Sequence, residues 1–154
     1  MTSLHLETDA SLNPTRTRIG DDGAAVTFAG GGIVVRGPDL SVVATYSVGL
    51  GYVGGAHEAE FRVLLRGMEI ARRKHGATAL RVRTDCLPLV RAFHGEIVLR
   101  SPVAATLLGR LRAERDRFAR FDLRWARSSH SLERADGAPT ADALARKAAG
   151  LGSR

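Results

Sequence analysis

The sequence predicts an α/β fold on a five-stranded mixed sheet, and three observations carry that prediction. Segments with period-two apolar alternation occur early in the chain and again after helix-periodic stretches. Two of the early ones are separated only by Gly37-Pro38-Asp39, a hairpin signature. The later ones are reached through helices, and such strands lie parallel with the helices packed on the sheet faces. Antiparallel and parallel pairing therefore meet in one sheet flanked by helices.

Each element has its own signal. Residues 3–8 alternate Leu4 and Leu6 with polar neighbours and read as a short half-buried strand, with Asp9 where it ends. A turn-rich stretch holding Asn13-Pro14, Gly20 and Asp22-Gly23 leads to β-branched, apolar strands at 24–35 and 40–48. Gly49, Gly51, Gly54 and Gly55 then make a loop. Phe61, Leu64, Leu65, Met68, Ala71 and His75 recur at helical spacing, predicting a helix over 56–75 that Gly76 stops. Leu80 and Val82 alternate with Arg81 and Arg83 in a fourth strand, 78–84, that ends at Asp85. A short helix through Phe93 follows. A long amphipathic helix over 103–118 then turns Leu107, Leu108, Leu111 and Phe118 inward and arginines outward. Phe121, Leu123 and Trp125 alternate in the fifth strand. The closing helix, 136–149, carries Pro139 in its first turn and Leu144, Ala145 and Ala148 on one face.

The 154 residues make about one domain, expected over 1–150 with a loose tail at 151–154. Apolar residues are 44% and charged ones 25%, the composition of an ordinary globule. The longest uncharged stretch, 40–57, holds four glycines and cannot supply a membrane span of about 20 apolar residues. No basic and apolar leader opens the chain, so a cytoplasmic location is expected, and the chain is expected to be a monomer. The single Cys86 excludes an intrachain disulfide and a multi-cysteine zinc site. Lys and Arg outnumber Asp and Glu 23 to 16, a net charge of +7, and only Lys74 and Lys147 are lysines. Guanidinium forks match phosphate oxygens, which favours an anionic partner and nucleic acid first; a general bias toward arginine would look the same.

Four acids stand where chemistry could gather: Asp9, Glu60, Asp85 and Asp142. Each alone has a structural explanation: a turn cap for Asp9, a helix N-cap for Asp85, and the helix macrodipole for Glu60 and Asp142. Ligands in open α/β sheets collect outside the carboxyl ends of parallel strands. Four carboxylates crowded there would repel one another unless divalent cations joined them. Oxygen-only donors select magnesium or manganese over zinc. Two such ions can stabilise both the attacking and the leaving oxygen of a phosphodiester.

The contexts of these acids resemble type 1 ribonuclease H, of the ribonuclease H-like superfamily. Thr8-Asp9-Ala10-Ser11 with Asn13-Pro14 following, Ala59-Glu60-Phe61, Arg83-Thr84-Asp85-Cys86 and Ala141-Asp142-Ala143-Leu144-Ala145 appear in the family's order across nearly the whole chain. The resemblance implies a ribonuclease H-like five-stranded sheet and a site of four carboxylates binding two Mg2+ or Mn2+ ions. It also implies endonucleolytic hydrolysis of the RNA strand of RNA/DNA hybrids, leaving 5′-phosphate and 3′-hydroxyl ends. By that resemblance Asp9, Glu60, Asp85 and Asp142 are catalytic metal ligands, and His130 matches the family's flexible histidine that assists proton movement or product release. Ala10 stands where the family has glycine, Cys86 where it favours serine, and Gly55-Ala56-His57-Glu58 where it has polar amides. The basic helical protrusion of some members is absent as a separate insertion. Arg110, Arg112, Arg115 and Arg117 are candidates to replace part of its charge, a solvated helix face being the alternative.

Other motifs compete with this reading. Gly49-Leu50-Gly51-Tyr52-Val53-Gly54 matches a dinucleotide fingerprint, but Asp85 follows Gly49 by 36 positions instead of about 20. Gly30-Gly31-Gly32 lacks a phosphate-loop lysine and reads as a bulge or a distorted edge. Cys86 with His130 suggests thiol chemistry, against the commoner buried cysteine. His57-Glu58 does not complete a zinc-protease motif, because Arg62 takes the needed ligand place. Two alternatives of the same fold stay open: a noncatalytic nucleic-acid-binding module, and a nuclease acting on duplex RNA or DNA. Acids beside phosphates would weaken a pure binder.

Overall fold

Hydrophobic alternation organises the chain around one sheet. In a computed structural model, residues 2–127 and 137–152 are described. The strands are β1 (Ser3–Ile19), β2 (Ala25–Arg36), β3 (Val42–Val53), β4 (Ala79–Thr84) and β5 (Arg120–Trp125). The described helices are α1 (Ala56–Arg73), α2 (Leu87–Phe93), α3 (Pro102–Arg115) and α4 (Ala141–Ala148). Strand order is β3-β2-β1-β4-β5. β1 pairs antiparallel with β2, as β2 does with β3, while β1 with β4 and β4 with β5 are parallel. This is the mixed α/β sheet that the sequence predicts.

Leu4 and Leu6 of β1, Ile33 and Val35 of β2, and Leu80 and Val82 of β4 are buried in one cluster with Phe61, Leu64 and Met68 of α1. Leu89 of α2 and Leu107 and Leu111 of α3 complete that side. Each fully buried side chain of this size contributes about 1.5–3 kcal/mol, so this layer fixes α1 over the sheet. No helix among the described residues is long and apolar enough to cross a membrane.

Several boundaries differ from expectation, each for a local reason. β1 does not stop at residue 8 but continues to Ile19, because β2 remains an antiparallel partner after β4 has diverged. Asn13-Pro14 is absorbed by a register shift between Asn13 and Thr17, as suits a residue with no N–H to offer the ladder. β3 likewise runs through Gly49 and Gly51 instead of ending at residue 48. Ala29 pairs with Gly51 and Gly30 with Gly49, which leaves Leu50 as the extra residue of a bulge. The apparent dinucleotide fingerprint is therefore bulged strand. α1 ends at Arg73, two residues early, with Gly76 at φ 65° just beyond. α3 starts at Pro102 and ends at Arg115.

Gly30-Gly31-Gly32 lies in an internal strand, not at an edge, and is paired throughout; the bulge opposite Gly30 belongs to β3, where Leu50 is the extra residue. The reason for the glycines is the helix above them. A Cβ on Gly32 would strike the Ala141 carbonyl oxygen, and one on Gly30 would strike backbone atoms of Ala145 and Ala149. α4 is thus seated directly on the β2 backbone. It begins at Ala141, with Thr140 as N-cap accepting from the Ala143 amide at 2.8 Å, so Pro139 precedes the helix. Past its end, Gly150 at φ 82° lets Leu151 donate to the Arg146 carbonyl at 2.9 Å, and Arg146 donates to Gly152. Residues 151–152 are therefore hydrogen-bonded to α4.

One buried ion pair has no sequence signal. Arg36, 1% exposed, donates through Nε to Glu7 Oε1 at 3.1 Å and through a terminal nitrogen to the Leu40 carbonyl at 2.8 Å. It pins β2 to β1 beneath the sheet's second face.

Candidate active site

Three of the five expected site residues meet in space. β1 carries Asp9 two residues past Glu7, where its parallel ladder with β4 stops. Asp85 directly follows the last residue of β4, and Glu60 sits in the second turn of α1. One carboxylate oxygen from each of Asp9, Glu60 and Asp85 lies within 4.8 Å of the other two. The divergence of β1 from β4 opens the gap that admits them.

The backbone holds two of these acids together. The Ala10 amide donates to Asp9 Oδ1 at 2.9 Å and to Glu60 Oε1 at 3.1 Å. On the third side, the Trp125 indole N–H donates to the Asp85 carbonyl at 3.2 Å, and the Cys86 amide donates to the Thr84 hydroxyl at 3.2 Å. Glu60 Oε2 is buried and has no hydrogen-bond partner among the described residues.

Crowding shows in the protonation behaviour. Burial first, and the Asp85 charge second, push Asp9 up from the ordinary 3.8 to about 7. Glu60 is pushed up from 4.5 to about 9 by burial, then by Asp9 and Asp85. Each wants a compensating positive charge. Asp142 stands in the first turn of α4, outside the 4.8 Å group. Its charge is the smallest of the contributions that raise Asp9. His130 lies outside the described residues.

A family model described as reverse transcriptase-like matches residues 22–148. The chain belongs to that family, within the ribonuclease H-like superfamily. No curated protein sequence matches it. Among solved structures, RNase H1 from the halophilic archaeon Halobacterium salinarum NRC-1 superposes with TM-score 0.77 at 20% identity, covering 95% of this chain and 96% of that one. The N-terminal RNase H domain of rv2228c from Mycobacterium tuberculosis gives TM-score 0.77 at 24% identity, covering 97% and 95%. LC11-RNase H1 in complex with an RNA/DNA hybrid gives TM-score 0.74 at 17% identity, covering 96% of both chains.

In this ribonuclease H-like chain the arginines of α3 and of the turn after it divide by role. Arg112 turns inward and donates to the Ala92 and Phe93 carbonyls at the end of α2. Arg115 pairs with Asp116, and Arg117 with Glu114. Arg110 lines a groove with Arg62 and Arg66 between α1 and α3. Cys86 is buried, and desolvation pushes its thiol up to about 11, so it stays protonated. Glu58 pairs with Arg62 at 2.9 Å, beside the cluster and not in it.

Sequence reasoning missed the Ala10 amide as the clamp on two acids. The residue was visible only as a departure from glycine. Its role depends on Glu60 arriving from a separate element, which no local pattern reveals.

Proposed function

We propose that this chain is an endonuclease that hydrolyses the RNA strand of RNA/DNA hybrids with two divalent cations. The observation that carries the reading is the convergence of Asp9, Glu60 and Asp85 oxygens within 4.8 Å on a ribonuclease H-like fold. The residues fit a divalent cation. Their donors are carboxylate oxygens only, which suits Mg2+ or Mn2+, and the buried Glu60 Oε2 is an orphaned ligand atom. Asp9, Glu60 and Asp85 would hold the ions, with Asp142 adding charge from α4. Cations so held supply Lewis-acid stabilisation to the attacking and leaving oxygens of the phosphodiester.

The chain's own groups position. The Ala10 amide fixes the Asp9 and Glu60 carboxylates, and the Trp125 indole holds the loop bearing Asp85. The complex of LC11-RNase H1 with an RNA/DNA hybrid and the arginine excess support hybrid as the partner. The expected cytoplasmic, monomeric state and the proton-moving role of His130 belong to the same reading.

Labelled hybrid, duplex RNA and duplex DNA, each incubated with Mg2+, Mn2+ or EDTA, test it. Hybrid alone should be cut, and only with a cation. Asp85→Asn should lower the rate by about 100-fold or more, beyond the 10–100-fold that losing an outer partner of a metal ligand costs. Hybrid bound but left intact under every cation would make the chain a binding module instead.

A further inference from the structure

α4 packs on β2, β1 and β3, and among the described residues no helix covers the corresponding face of β4 and β5. Alternation sends Leu80, Val82, Phe121 and Leu123 toward the helices of the other side. Arg81 and Arg83 of β4, and Arg120, Asp122 and Arg124 of β5, therefore face outward. The register sets them in rows: His5, Arg81 and Asp122 in one, Glu7, Arg83 and Arg124 in the next, with Arg120 beside Ala79. They line a cavity of about 740 Å³ that Trp125, 44% exposed, bounds at the end of β5.

The charge of this face is not compensated by the described acids. Glu7 is buried against Arg36, and Asp122 is held by Arg124 at 2.7 Å. Among the described residues, no ion pair engages Arg81, Arg83 or Arg120. His5 registers the field: burial, then the charges of Arg81, Arg83 and Arg36, holds its pKa below the usual value. Parallel strands are ordinarily covered on both faces by apolar packing. Two of them, β4 and β5, paved with guanidinium groups on a face that no described helix covers, call for an anionic cover.

We propose that this face is a tract for single-stranded nucleic acid, receiving unpaired strand that runs on from a hybrid held at the acids. The inference rests on the nuclease reading for what occupies the acids. The width argues for a single strand. Same-face residues stand about 6.7 Å apart along a strand, and neighbouring strands about 4.8 Å apart. Arg81 and Arg83 with Arg120 and Arg124 thus make two close columns, suited to one phosphodiester backbone and too narrow for both backbones of a duplex. Trp125, which alternation places with Phe121 and Leu123 on the helix side, marks the end of β5 where the tract runs out. Its hydrogen bond to the Asp85 carbonyl places its indole beside the acid cluster, so tract and cluster are continuous.

The test compares a blunt hybrid with the same hybrid carrying a tail of about 12 deoxythymidines, a length within single-strand site sizes, at either DNA end. Binding is read by fluorescence anisotropy in EDTA. The wild-type chain should bind one tailed hybrid about tenfold more tightly than the blunt one. Arg81→Gln/Arg120→Gln and Arg81→Glu/Arg120→Glu should lose that gain while binding and cutting blunt hybrid as the wild type does. Circular dichroism melts establish that both variants fold, and the milder pair serves if the charge reversal does not. For free oligothymidine, the slope of log affinity against log salt should shrink by about 0.7 for each phosphate that the variant no longer neutralises. A tail that adds nothing in the wild type, or whose gain survives both variants, overturns the tract. Displacement of the tail by polyglutamate at equal charge would assign the face to an acidic protein and overturn it too. A retained tail effect with no hybrid cleavage under any cation would sink the nuclease reading and still support the tract.

Discussion

Asp9 and Glu60 share one amide donor and one crowded space, and both titrate far above ordinary carboxylates. The sign of the consequence follows from linkage. Between the ordinary values of 3.8 and 4.5 and the raised values of about 7 and about 9, the folded chain binds protons that the unfolded chain has released. Their contribution to stability is complete below the ordinary values and is lost as pH rises through the raised ones. Asp85 raises both groups, so Asp85→Asn should melt higher than the wild type in EDTA at pH 8, and the difference should vanish near pH 4. Mn2+ should raise the wild-type Tm strongly at pH 8 and little at pH 5. A constant gap between the two proteins across that range, followed by calorimetry, would contradict the crowding. These acids were legible in the sequence because each sits in a short local motif. The Glu7–Arg36 pair was not, because it exists only through the β1–β2 register.

At the scale of elements, the glycines of β2 decide where α4 can lie. Gly32→Ala would drive a methyl group into the Ala141 carbonyl, which is backbone and cannot swing away. Such overpacking costs about 1–3 kcal/mol or more, so the urea midpoint should fall clearly. Gly49→Ala, whose Cβ would meet nothing nearer than the Phe28 ring at 3.7 Å, is the control and should change little. Helix positions were legible in the sequence because apolar spacing and the stop at Gly76 are local signals. Strand ends were not. Pro14, Gly49 and Gly51 look like terminators, yet bulges absorb them wherever the neighbouring strand goes on pairing. The inward turn of Arg112 was hidden for a similar reason, since the α2 carbonyls it satisfies lie about 20 residues earlier in the chain.

For the molecule as a whole, the +7 charge sets the salt response. Affinity for blunt hybrid, titrated in EDTA, should fall about tenfold or more between roughly 50 and 200 mM salt; a flat response would mean that phosphates are not the principal partners. The sheet order was legible in outline, since hairpins and helical crossovers dictate antiparallel and parallel neighbours. Which strands α4 covers was not, because that depends on how far the helix reaches across the sheet. The position of α4 along the chain carries one more consequence. All five strands and the three converging acids precede it, so a chain emerging from a ribosome would display the sheet and the acid trio before the helix that roofs β2 had been synthesised. For that interval, several seconds or less at ordinary translation speeds, the glycine strip would be open to water and to chaperones. Asp142 would reach its neighbours last.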